Sequence, residues 1–346
     1  MNFFQKIIFG FSILAVTSFS ANAQESNSVS DLVKQGVQLN DQGKYAEAIG
    51  KYQEALKIEP ENNQANYEMA FSLMASGKGN EGIPYVEKTI KGSTSNALIA
   101  ASYDLLGSIY DEGKQSEKAI EAYQTGIKIR PDYQRLHFNL GIAYFRNKQY
   151  PEAEASAIDA IKLNPKHASS QRMYALVTFH QNKRMNALLG FCSFILLEPN
   201  SPRSAEAYNN IQHILQGGVL KDGDGRNTIQ LSQKDNEETR ILNLAISMTA
   251  LAAQKQKLSE ADLLQYQLTH IFSMASELTE KKTDKAFFDK FLIDYFYKLA
   301  KSDNMPAFTH LVMQTNGKEE NTKWMSENAD KVKALNDWVA TTERSF

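Results

Sequence analysis

The chain is 346 residues long with a formal net charge of −2, 42% apolar residues and 23% charged residues. That composition belongs to a folded globular or repeat protein, not to a disordered one. A near-neutral chain also lacks the basic surface that nucleic acid binding requires, because phosphate contacts need cations to release counterions.

The first 23 residues read as an address. MNFFQK carries one Lys, IIFGFSILAVTSF is apolar but too short to cross a bilayer, and Ala21 and Ala23 frame a small-residue cleavage site. This pattern predicts a secretory signal peptide over 1–23, and with it an exported, periplasmic or secreted, soluble protein with no membrane span after cleavage. One cysteine, Cys192, lies in the apolar run LLGFCSFILL. No intramolecular disulfide is possible, and a buried, inert thiol is expected.

From residue 29 the sequence is periodic. Pro131, Pro165 and Pro199 are 34 residues apart, and Ala119, Ala153 and Ala187 keep the same spacing, each twelve residues before its proline. Gly107 and Gly141 precede the first two alanines by another twelve, with Ala175 in the third unit; Gly36, Ala48 and Pro60 repeat the geometry upstream. The interval from Pro60 to Pro131 is two units plus three residues, which places an insertion near KGSTSN, 91–96. Small residues allow two helices to cross closely, larger ones such as Tyr52, Tyr123, Tyr144 and Phe191 fill the space beside them, and proline stops the second helix. On these residues the chain resembles the tetratricopeptide repeat (TPR) family. The reading is all-α: a right-handed α-solenoid of five hairpins over 29–201 (29–62, a degenerate 63–99, 100–133, 134–167 and 168–201), followed by an α-helical C-terminal domain.

The resemblance implies a concave groove lined by the first helix of each hairpin, binding a protein or peptide segment. Counted in phase, the groove residues are Tyr67 and Phe71 in the second unit, Asp104, Asp111 and Glu112 in the third, and Arg135, Phe138, Phe145 and Arg146 in the fourth. Arg172, Phe179 and His180 follow in the fifth. The face is expected to be acidic at the third unit and basic with aromatics beyond it, against the plainer alternatives of solvated charges and packed rings. Val33 and Val37 stand where family members that clamp a chaperone's terminal carboxylate carry Lys and Asn, which argues against that specificity.

GKGNEG, 77–82, matches a dinucleotide-binding pattern, yet the preceding segment ANYEMAFSLMAS has helical period, so the glycines read as a turn. Residues 202–216 predict a capping helix and 217–234 a linker. Within the linker, Asp222 and Asp224 hint at a calcium loop, but Arg226 and Gln233 fall where oxygen ligands belong. From 235 to 346 the pattern is helical again. Asp235 with Glu238 suggests a capping box, Ser259 with Asp262 a second start and Thr283 a third, with an aromatic stripe at Phe288, Phe291, Leu292, Tyr295 and Leu299. Pro306 sits in a fourth first turn, and a fifth helix spans Trp324 to Trp338. The six histidines show no metal-ligand spacing, and no nucleophile elbow or phosphate loop is present in the mature chain. The expectation is a non-catalytic scaffold in the cell envelope without cofactor or metal. The alternatives are a C-terminal helical domain acting as an enzyme or ligand-binding unit docked by the repeats, and a structural part of an envelope assembly.

Overall fold

The computed structural model describes residues 28–221, 223 and 227–346. The predicted signal peptide and the residues Asp222, Asp224 and Arg226 lie outside them. Five hairpins come first: α1 (Val29–Asp41) with α2 (Tyr45–Ile58), α3 (Asn63–Ala75) with α4 (Gly79–Gly92), α5 (Asn96–Glu112) with α6 (Ser116–Ile129), α7 (Gln134–Arg146) with α8 (Tyr150–Leu163), and α9 (Ala168–His180) with α10 (Arg184–Leu197).

Each hairpin is built by the same local rules. Its two helices are joined by a turn whose central residue is left-handed: Gly43, Gly77, Lys114, Lys148 and Asn182, all with φ between 57° and 78°. The steps between these residues are 34, 37, 34 and 34, so the three extra residues fall between the second and third turns. Helix α5 has 17 residues where the other first helices have 13, and the connection before it, 93–95, is one residue shorter than its counterparts. The three extra residues therefore enter as an added first turn of α5, beginning at Asn96 where the predicted segment 91–96 ends. GKGNEG is such a turn: Gly77 holds the positive φ and Gly79 opens α4. Ala48, Ala119, Ala153 and Ala187 are fully buried at the crossings. The residues before Pro60, Pro131 and Pro165 leave the helical region, with φ of −127° to −144° and ψ of 86° to 89°, because the pyrrolidine ring disfavours a helical residue before it. A side chain six residues on then takes up the proline carbonyl: Asn66 donates to Pro60, His137 Nε2 lies 2.8 Å from the Pro131 oxygen, and Gln171 donates to Pro165. The first hairpin is thereby pinned to the second, the third to the fourth and the fourth to the fifth.

Beyond the array, α11 (Pro202–Leu215) starts on a Ser201 cap and leads into a short antiparallel pair, β1 (Val219–Lys221) and β2 (Asn227–Ile229), inside the predicted linker. Then come α12 (Glu237–Ala253), α13 (Glu260–Thr279), a π-helical segment over Phe288–Ile293, α14 (Asp294–Ala300), α15 (Met305–Val312), α16 (Glu319–Glu327) and α17 (Ala329–Thr341). Ser259 caps α13 as expected, but Asn236, not Asp235, caps α12 through the Thr239 amide. Asp235 instead accepts from Asn182 and Asn243, tying the repeat turn to α12. The last predicted helix is two, broken at Asn328.

One hydrophobic core runs from Ala153 through the fifth hairpin into Leu335, so the C-terminal helices close over α10 and do not extend the superhelix. The sequence of α10, RMNALLGFCSFILL, buries ten of its fourteen residues. A helix apolar on every side must be surrounded, and here α9, α11, α12, the π-helical segment and α15 all pack on it. Cys192 is fully enclosed there, and burial pushes its thiol pKa up.

Candidate binding groove

The first helices of successive hairpins touch one another, α1 with α3, α3 with α5, α5 with α7 and α7 with α9, while each second helix packs against the next first helix. The array is therefore tighter on the first-helix side, and that side is its inner face. All twelve predicted groove residues lie on these first helices.

Their charges do not form separate acidic and basic bands. Asp104 is fully buried and accepts from Arg135 and, at 2.8 Å, from Asn139 of the following hairpin. Asp111 pairs with Arg146, and Arg172 with Glu206 on α11. Each pair bridges a hairpin to the next element of the stack, the following hairpin or α11, so these groove charges are largely neutralised within the frame. Asp104 holds the Arg135 guanidinium pKa above its ordinary value against the opposing effect of burial. Tyr67 stands beside this pair: burial raises its phenol to about 12, and the Arg135 charge works the other way. Glu112 is exposed at the hairpin tips, beside Gly77–Glu81, away from those pairs.

The aromatic residues divide differently. Phe71 packs with the core of the second and third hairpins, partly covered. Phe138 meets His167 edge-on at 5.1 Å. Phe145 and Phe179 flank His180, at 5.1 and 6.3 Å between ring centres, and Tyr150 stacks on the same imidazole at 5.5 Å. Phe179 also contacts His213 of α11 at 5.9 Å. Phe138, Phe145 and Phe179 stay partly exposed and His180 is exposed, so the fourth and fifth hairpins present an aromatic strip made of two ring groups, Phe138 with His167 and Phe145, Tyr150, Phe179 and His213 around His180. Position counting missed Asn139, Tyr150, Glu206 and His213. Reading opposite charges about one repeat apart as partners would have found Glu206, which stands 34 residues after Arg172. In the first hairpins the same face is polar: Asn40 donates to Tyr52 Oη at 3.0 Å and accepts from Ser72 at 2.7 Å.

Among the described residues no cluster of three or more His, Cys, Asp or Glu could hold a metal ion, and no helix is long and apolar enough to cross a membrane.

Family models agree with the repeat geometry. One described as "TPR repeat" matches residues 36–77 and 107–148, and one described as "Tetratricopeptide repeat" matches 134–167. The chain is 35% identical over 163 residues to the human protein O-mannosyl-transferase TMTC1, covering 46% of this chain and 18% of that one. It is 31% identical over 103 residues to the Hsp70-Hsp90 organizing protein of Triticum aestivum, covering 30% and 17%. The chain thus spans less than a fifth of the length of either relative. Among solved structures, YrrB, described as a TPR protein with an unusual peptide-binding site, aligns with a TM-score of 0.43 and 16% identity over 54% of this chain and 94% of that one. Hairpin geometry, the 34-residue step and the matching family models agree that the chain carries tetratricopeptide repeats.

Proposed function

We propose that the chain is a non-catalytic scaffold that holds an apolar protein or peptide segment along the aromatic strip of its fourth and fifth hairpins, and that it does so as an exported protein of the cell envelope. The observation that carries this reading is the pairing of charges. With Asp104 and Asp111 engaged by the next hairpin and Arg172 by α11, what the inner face of these hairpins offers a partner is Phe138, Phe145, Phe179 and His180. Partly exposed rings held on a stiff frame lose little entropy when covered, and aromatic side chains are enriched in protein interfaces. The Hsp70-Hsp90 organizing protein, by its name, works on other proteins, which supports the scaffold reading of the shared repeats. The apolar h-region and the A-x-A pattern at Ala21 and Ala23 support export.

The test compares the full chain with a Phe145→Ala/His180→Ala variant in crosslinking and capture from envelope extract. Loss of the captured protein, with an unchanged helical spectrum, supports the reading; equal capture removes the strip from the binding surface. Mass spectrometry of the mature N-terminus tests export, which requires a chain beginning at Gln24.

A further inference from the structure

A cavity of about 300 Å³ lies beside Leu197 at the C-terminal end of α10, where the segment Thr342–Arg344 and the end of α17 meet the fifth hairpin. That is the lower end of the size range for small-molecule sites. Its walls are mostly apolar, with Leu197, Phe291, Val339 and Ala340 contributing, but its chemistry is set by Arg344.

The Arg344 guanidinium carbon lies over Tyr295, 3.8 Å from the ring centre, with Phe291 at 4.8 Å and Phe296 at 5.9 Å. Its Nη1 donates to Ser193 Oγ. The Ser193 hydroxyl in turn donates to Gln171, and Gln171 donates to the Pro165 carbonyl at 2.8 Å. This relay fixes the guanidinium's position and leaves Ser193 and Gln171 with no further need of a partner. Arg344 has no carboxylate within ion-pair distance among the described residues, whereas the groove arginines Arg135, Arg146 and Arg172 each have one. Burial pulls its pKa down, yet an arginine stays charged in any folded protein. The rings surround the cation without neutralising it, and a guanidinium with five N–H donors, one of them used on Ser193, has capacity left for an anion. Lys166 stands on the same rim, exposed, and the one side-chain carboxylate in the lining, Glu343, is exposed and pairs with neither cation.

We propose that this cavity binds a small organic carboxylate, its carboxylate on Arg344 and Lys166 and its apolar body against Leu197, Phe291, Val339 and Ala340. A bidentate carboxylate matches the planar fork of the guanidinium. The bound acid would touch both the fifth repeat and the C-terminal helices, so binding also tightens their union.

The probe is phenylacetate, with hexanoate as an aliphatic acid of similar size and phenylacetamide as the neutral control. Each is titrated into the full chain and followed by calorimetry and by tryptophan fluorescence, since Trp338 packs on Tyr295 at 4.9 Å. Saturable binding of at least one acid is expected, with phenylacetamide at least tenfold weaker than phenylacetate. Arg344→Gln should weaken the acid roughly tenfold or more, the scale of a lost charge-assisted hydrogen bond. Lys166→Ala should weaken it a few-fold; this side chain is exposed, so its variant tests the site even if Arg344→Gln unsettles the fold. No saturable binding of either acid overturns the proposal. So does equal affinity for phenylacetate and phenylacetamide, or an acid affinity left unchanged by Lys166→Ala.

Discussion

The close crossing of the hairpin helices can be tested by making one substitution at two glycines and expecting opposite signs. Gly107 in α5 faces Tyr123 of α6, and a Cβ built on Gly107 falls 2.5, 2.7 and 2.8 Å from three ring carbons. Tyr123 is 2% exposed and its hydroxyl lies 3.3 Å from Ser108 Oγ, so the ring has no free direction in which to retreat. Gly50 is also helical, in α2, but its Cβ would meet nothing within 4 Å. Replacing a helix-interior glycine by alanine stabilises by about 1 kcal/mol through backbone entropy, and Gly50→Ala should gain about that. Gly107→Ala receives the same gain but must also displace a buried ring, at a cost of about 1–3 kcal/mol and here near the upper end. The net expectation is a loss of about 1–2 kcal/mol, hence a gap of about 2–3 kcal/mol between the two variants. Both tryptophans lie in the C-terminal helices, so their fluorescence does not report on this hairpin. The assay is native-state hydrogen exchange over 96–129 for Gly107→Ala and over 45–58 for Gly50→Ala, with urea unfolding followed by helical circular dichroism. Equal stabilisation by both variants would refute the crossing argument. Gly141→Ala provides a graded check: its Cβ meets the flexible end of Met173, at 2.7 Å from Cε, so its cost should fall below that of Gly107→Ala.

Three further outcomes follow from individual sites. Asp104→Ala should destabilise the junction of the third and fourth hairpins by about 1–3 kcal/mol, because it strips acceptors from Arg135 and Asn139; a double-mutant cycle with Arg135→Ala should show coupling, and additive effects would contradict the bridge. His310 stacks on Trp324 at 3.8 Å, and burial holds its pKa below the ordinary 6.5 despite opposing contributions from Asn321 and Asp262. The unfolded chain therefore takes up the proton first as pH falls, so the stability due to neutral His310 is complete above about pH 6.5 and is lost below it; His310→Gln should flatten the denaturation midpoint between pH 7.5 and 5, and an unchanged slope would count against it. Cys192, the chain's one thiol, should resist a thiol reagent in the native protein and react fully in denaturant, whereas prompt native labelling would contradict its enclosure.

Much of this fold is written in local chemistry. The glycine, alanine and proline positions repeat because each solves the same local problem, so the hairpins, their turns and even the three-residue insertion could be read by counting. The C-terminal helices were legible as helices from their periods and from caps such as Ser259. Their packing over α10 was less so, since it depends on contacts between distant segments; the unbroken apolar run of α10 was its one local trace. The groove shows the same limit. Phase counting put Asp104, Arg135, Asp111 and Arg146 on one face, but whether such charges meet a partner or water depends on the step between hairpins, which single positions do not encode. Arg344 lies beyond sequence reading for the same reason: Ser193, 151 residues away, and the rings of Phe291 and Tyr295 reach it only through the tertiary fold.

If the aromatic strip of the fourth and fifth hairpins is the proposed contact surface, a probe built into it must meet the partner. Photo-crosslinking from a benzoylphenylalanine placed at His180 in the full chain tests it most directly, with the same probe at exposed Lys162 on the second helix of the fourth hairpin as the control. A discrete protein adduct from position 180, absent from position 162 and lost with Phe145→Ala, is the predicted result. Equal labelling from both positions, or an adduct indifferent to Phe145→Ala, would contradict the account.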